Sequence, residues 1–116
     1  MAEKIKDSEC KEWINYLNST AKIREDITQN DLTEVSKLFL ALKRLSEQKR
    51  LHSINVKCQY EFSKEYGMVM CVSLSMLAEH GIISSCEGDM LNTVSMIILN
   101  YLSKNIVTYG DVIHHE

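Results

Sequence analysis

The chain has 116 residues, a length that fits one domain or a piece of one, and its 45% apolar and 25% charged content matches that of packed globular proteins. A formal charge of −3, with Lys and Arg gathered only at Lys43–Arg50, disfavours nucleic acid as a partner, because tracking a phosphate backbone needs clustered cations. Proline is absent and glycine appears four times, which excludes collagen-like segments, proline-rich ligands and glycine-rich linkers.

Met1–Asp7 is polar and mixed in charge, without the apolar run of an export signal, so the chain reads as cytosolic. No stretch approaches the ~18 apolar residues of a membrane span; Asn, Thr, Ser and Lys interrupt even Met90–Leu102. The cysteines Cys10, Cys58, Cys71 and Cys86 are then expected as free thiols, mostly buried, rather than as a disulfide framework.

Two amphipathic helices occupy residues 1–51. Cys10, Trp13, Ile14 and Leu17 fall at i, i+3, i+4 and i+7 and predict a helix opened by Asp7 or Ser8 and released at Asn18–Thr20. A longer helix follows the polar Thr28–Asp31, with Leu32, Val35, Leu38, Phe39, Leu42 and Leu45 on one stripe. Basic residues crowd its end, where they suit the negative pole of the helix dipole.

From residue 52 to 116 the pattern changes. Ile54–Cys58, Ile82–Cys86 and Ile106–Tyr109 are short, β-branched or alternating runs that predict strands. Between them Met68–His80 and Asp89–Lys104 have helical length, with Gly81 placed for a left-handed C-cap and Asp89 for an N-cap. Strands joined by helices lie parallel, so the expected fold class is α/β: a partial open parallel sheet of about three strands with flanking helices, a Rossmann-like or flavodoxin-like layer. Both helices are apolar almost all round, which asks for cover on more than one side. That points to an oligomer or to a segment whose surroundings include more polypeptide.

Ligands of open parallel sheets bind at the carboxyl ends of the strands, where this sequence offers Cys58, Glu87 and Asp111. Glu87 precedes the helix opened by Gly88-Asp89, and Asp111 follows Gly110, a residue that lets backbone pass close to a ligand. Paired carboxylates suit a hard or borderline divalent cation, Mg²⁺ or Mn²⁺. A carboxylate after a strand is also a common helix cap or solvated charge, and the six methionines serve most simply as core filling. No glycine-rich nucleotide fingerprint, P-loop or nucleophile elbow is present.

Lys57-Cys58, Cys71-Val72-Ser73-Leu74-Ser75, Gly81-Ile82, Cys86-Glu87-Gly88-Asp89 and Gly110-Asp111-Val112-Ile113-His114 together resemble the central region of the L-fucose/L-arabinose isomerase superfamily, especially its fucose-isomerase-like members. The Cys-Glu-Gly-Asp block is the specific part of a resemblance that covers Leu38–His114. It implies a metal-dependent aldose–ketose isomerase acting on a small sugar through an enediol. Glu87 and Asp111 would bind Mn²⁺ or a similar ion and shuttle the proton. It also implies a metal-ligating histidine from a later domain, for which His114 and His115 lie too close to Asp111 to be taken as replacements. The expectation is therefore a sugar-isomerase fragment, inactive alone, whose partners are the missing isomerase domains or other subunits. Two alternatives stand beside it: a non-catalytic α/β interaction module that docks or oligomerises through its apolar helices, and a small metal site formed by Cys58, Cys86 and His114.

Overall fold

The N-terminal helices of the computed structural model, which describes residues 1–110, form where the apolar spacing places them. Helix α1 (Asp7–Thr20) buries Cys10, Ile14 and Leu17. The Glu9 carboxylate accepts the Lys6 backbone N–H at 2.9 Å, so the cap lies one residue before the expected Asp7. Helix α2 (Gln29–Lys49) opens on Thr28, whose hydroxyl accepts the Asp31 N–H at 3.2 Å while the Asp31 carboxylate accepts the Thr28 N–H at 2.8 Å. Its stripe buries Leu32, Val35, Leu38 and Phe39, and the chain leaves through Arg50 in the left-handed region. A short 3-10 turn at Ala2–Lys4, not foreseen from the sequence, adds Ala2 and Ile5 to the same core.

The α/β class is borne out in the second half, with two strands rather than three among the described residues. Strands β1 (Ser53–Val56) and β2 (Ile83–Cys86) pair in parallel, with Ile54 opposite Ser84, Asn55 opposite Ser85 and Val56 opposite Cys86. Between them run a short helix α3 (Glu61–Tyr66), ended by Gly67 at φ +79°, and α4 (Cys71–Glu79). Helix α4 is shorter than the expected Met68–His80 because the chain first has to recover from that left-handed turn. Its far end is a Schellman closure: Gly81, at φ +78°, donates to Ala78 and Ile82 donates to Leu77, both at 3.0 Å.

Helix α5 (Met90–Ser103) starts on Asp89, whose carboxylate accepts the Asn92 N–H at 2.9 Å. After Lys104, Ile106–Tyr109 does not extend the sheet. The Asn100 amide donates to the Asn105 carbonyl at 2.8 Å, and the Asn105 side chain accepts the Ile106 N–H at 3.1 Å. These local bonds occupy backbone groups that a strand would use. Val107, Thr108 and Tyr109 instead face β2 across a cleft of about 150 Å³, which Cys71, Leu74 and Cys86 also line.

Alternation along the strands sorts the layers. Ile54 and Ser84 face the α4 side, where Ser84 donates to the Leu74 carbonyl at 2.6 Å; Asn55 and Ser85 face α5. Helix α4 in turn packs on α2, pegged by the Ser73 hydroxyl donating to the Val35 carbonyl at 3.0 Å. Trp13, Phe39 and His80 join α1, α2 and the end of α4, with ring centroids 4.6 Å apart for Trp13–Phe39 and 5.2 Å for Phe39–His80. Phe39 and Leu77 are wholly buried, each worth about 1.5–3 kcal/mol by area alone. One hydrophobic core thus runs from Ala2 to Leu77 across both halves of the chain.

The two apolar helices fare differently. Helix α4 is covered on the sheet side and on the α2 side, burying Ser73, Leu74, Met76 and Leu77. Helix α5 buries only Thr93 and Met96, and leaves Leu91 84% and Leu102 76% exposed, with Val94, Ile98 and Leu99 about half exposed. Met70, Met76 and Met96 fill the core as expected, whereas Met90 stands in solvent. Among the described residues no helix is long and apolar enough to cross a membrane.

Candidate functional site at the carboxyl edge of the strands

The polar residues between the sheet and α5 build the floor of the site. Thr93 is 3% exposed, and its hydroxyl meets three partners: the Asp89 carbonyl at 2.8 Å, the Asn55 amide at 2.6 Å and the Ser85 hydroxyl at 2.7 Å. A hydroxyl has one proton and two lone pairs. Thr93 therefore donates to Asp89 and accepts from both Asn55 and Ser85, which saturates it. The Asn55 amide also donates to the Asp89 carbonyl at 2.8 Å. One side chain from each strand and the first turn of α5 are thereby locked together directly under the loop that carries Glu87.

That loop is the Cys86-Glu87-Gly88-Asp89 block. Glu87 and Gly88 both take positive φ, +66° and +75°, as the two central residues of a mirror-image turn must. Glycine adopts this at no steric penalty; for Glu87 it is local strain, of the kind held in place only by surrounding bonds. The result aims an exposed carboxylate off the end of β2, where Glu87 Oε1 accepts from Gln59 Nε2 at 2.6 Å. Gln59 belongs to the segment leaving β1, so the amide and the carboxylate come from equivalent places on neighbouring parallel strands. The sequence singled out Glu87 and missed Gln59. The signal lies in the pairing and not in the sequence: only once Val56 faces Cys86 do the residues that follow each strand run side by side.

The cysteines lie around the same edge. All four are free, as expected; Cys10 and Cys58 are buried and Cys86 half-buried, while Cys71, expected to be buried, is exposed at the start of α4. Cys71 is exposed because it falls in the first turn of a helix shorter than predicted. Burial, followed by the neighbouring Cys58 and Glu87, pushes the Cys86 thiol up to about 11. Tyr60, Ser63 and Val69 continue the edge as a shallow groove beside Cys58 and Gln59.

Of the two predicted carboxylates, Glu87 stands at this edge, whereas Asp111, like His114 and His115, lies outside the described residues. Among the described residues no three His, Cys, Asp or Glu side chains converge as a metal site would require. A separate concavity of about 260 Å³ lies at the opposite, amino end of β2, lined by Gly81, Ile83, Asn100 and Lys104. It contains none of the predicted site residues.

No family model matches the chain, and no solved structure matches it. Among curated proteins, it is 28% identical over 106 residues to a protein named sulfoquinovose isomerase from Priestia megaterium, an alignment covering 89% of this chain and 24% of that protein. A sulfoquinovose isomerase from Alkalicoccus urumqiensis is 28% identical over 114 residues, covering 96% of this chain and 26% of its own length. The chain spans about a quarter of the length of these relatives. Their names extend the resemblance to sugar isomerases in general and not to the fucose or arabinose type.

Proposed function

We propose that this chain is the sheet-bearing part of a metal-dependent aldose–ketose isomerase, with Glu87 and Asp111 as its catalytic and metal-binding carboxylates. The observation that carries the reading is the position of Glu87. In a chain similar over nearly its whole length to sugar isomerases, Glu87 is exposed at the carboxyl edge of the parallel pair, on a strained turn fixed from below. The fucose/arabinose type of isomerase remains the specific model, and sulfoquinovose, the sugar in the relatives' names, is the first substrate to try.

A divalent cation such as Mn²⁺ or Mg²⁺ fits Glu87 in donor type, since a hard ion takes carboxylate oxygen. It does not fit in donor number among the described residues, so Glu87 and Asp111 would hold it together with groups from further polypeptide or another subunit. When bound, such an ion polarises a sugar carbonyl and the neighbouring hydroxyl. The part played by this chain's own residues is positional and acid–base. Gln59 fixes the Glu87 carboxylate through Oε1, the Thr93 hub holds the turn beneath it, and the oriented carboxylate exchanges a proton with carbon. Because the remaining ligands would come from further polypeptide or another subunit, the 116-residue chain by itself should bind Mn²⁺ weakly and turn over little or no sugar.

Weak binding is still testable, because paramagnetic Mn²⁺ broadens nearby nuclear resonances. Titrated into the isotope-labelled chain, it should broaden the amide signals of Gln59, Cys86 and Gly88 before others, and Glu87→Gln should abolish that selectivity. Broadening centred elsewhere would remove the site from the reading.

One observation favours a second reading, a non-catalytic module: the outer face of α5 is apolar and exposed over its whole length. On the isomerase reading that face is covered by further polypeptide of the same protein or by a second subunit. Sedimentation of the native protein with Leu91→Asp separates the two. Loss of assembly by a native protein that converts no sugar would favour the module; loss of assembly together with loss of sugar turnover would favour the isomerase.

A further inference from the structure

The chain leaving β1 carries its own strained residue. Tyr60 takes φ +57° and ψ −88°, near the tight γ-turn well that is rare and costly for any residue with a bulky side chain. Its carbonyl is held there by the Lys64 N–H at 2.8 Å and the Ser63 hydroxyl at 3.2 Å, both from α3. Glycine would adopt this backbone at lower cost. The phenol ring gains no burial in return: Tyr60 is 78% exposed, whereas Phe62 and Tyr66, on the helix that follows, stack with centroids 5.3 Å apart and pack against the core. Strain that holds an aromatic ring out in solvent points to binding rather than to packing.

What surrounds the ring narrows the ligand. Tyr60 lines the groove of about 390 Å³ beside β1 together with Cys58, Gln59, Ser63 and Val69, a volume within the ~300–1,000 Å³ range of small-molecule sites. Gln59 is the residue whose amide donates to Glu87 at 2.6 Å, so a molecule in the groove lies against both Tyr60 and the side chain that fixes the carboxylate. A pyranose suits such a place. The C–H bonds on one of its faces are weakly positive and match the negative face of an aromatic ring, while its hydroxyls project from the rim toward polar partners.

We infer that Tyr60 is a positioning residue for the sugar, a platform on which the apolar face of a pyranose stacks with its polar edge toward Gln59 and Glu87. Resting on the isomerase reading of Glu87, this role adds a binding subsite on the β1 side of the edge. The ring holds the sugar equally before and during the proton transfer, so removing it weakens binding without slowing the chemical step.

Steady-state kinetics of the native protein that contains this sequence, with Mn²⁺ present and sulfoquinovose, L-fucose and L-arabinose as aldoses, test the role. For an aldose that is converted, Tyr60→Ala should raise KM about tenfold and leave kcat nearly unchanged. Tyr60→Phe and Tyr60→Trp keep an aromatic face and should restore most of that KM. Tyr60→Gly, which relieves the backbone, should be no less stable than the parent in urea and should still show the raised KM. An unchanged KM in Tyr60→Ala, a loss confined to kcat, no rescue by Phe and Trp, or a marked loss of stability in Tyr60→Gly would each overturn the platform and leave the reading of Glu87 standing. Absence of turnover in the parent protein would remove that reading and the platform with it.

Discussion

Replacing Thr93 by Val keeps the shape of the side chain and removes the hydroxyl on which Asn55, Ser85 and Asp89 converge. Ser85 is 2% exposed, so its hydroxyl would be left buried without its acceptor. A stranded buried polar group costs about 1–3 kcal/mol, and the lost bonds add about 1 kcal/mol, giving roughly 2–4 kcal/mol in total. For 116 residues the unfolding entropy makes each kcal/mol worth about 4 °C, so the melting temperature should fall by about 8–16 °C. Thr93→Ser keeps the hydroxyl and loses one methyl, about 1 kcal/mol. Urea unfolding followed by circular dichroism measures both variants. In the Ser85→Ala, Thr93→Val double variant no Ser85 hydroxyl is stranded, so the combined loss should be smaller than the sum of the singles. If Thr93→Val changes stability by less than about 0.5 kcal/mol, or no more than Thr93→Ser does, the hub does not hold the site as argued.

Stability should fall at both ends of the pH range. The Thr28 hydroxyl and backbone hold Asp31 below the usual carboxylate range, and the Lys6 backbone and Arg44 do the same for Glu9. The stabilisation from these groups is present above the ordinary carboxylate pKa and is lost as pH drops through the depressed values. Thr28→Ala should remove about 1 kcal/mol near neutrality and make the acid limb shallower in a pH series of urea melts. At the other end, burial and the Glu34 carboxylate, 3.0 Å away, raise the Tyr66 hydroxyl to about 12. Its contribution is complete below pH ~10 and disappears between there and about 12. Tyr66→Phe should flatten that part of the alkaline limb.

Much of the fold was legible because one signal decided each element. The i, i+3, i+4 spacing of Cys10, Trp13, Ile14 and Leu17 left a single face to bury, and Asp89 and Gly81 capped their helices at the expected ends. The errors arose where local bonding overrode propensity. Ile106–Tyr109 has the residues of a strand, but Asn100 and Asn105 capture its approach through side-chain bonds that no β-propensity registers. The left-handed Gly67 cut the front off an expected helix and so exposed Cys71. At the site, Glu87 could be read from its place after a strand, while Gln59, Asn55 and Thr93 could not, because their roles depend on a parallel register that exists only after folding.

Sugar turnover by the native protein that contains this sequence tests the central claim most directly. With Mn²⁺ present, sulfoquinovose or another aldose should be converted to its ketose, and Glu87→Gln should lower the rate by about 10²–10⁴-fold while leaving the fold intact. An undiminished rate in Glu87→Gln, or no interconversion of any aldose offered to the native protein, would contradict it.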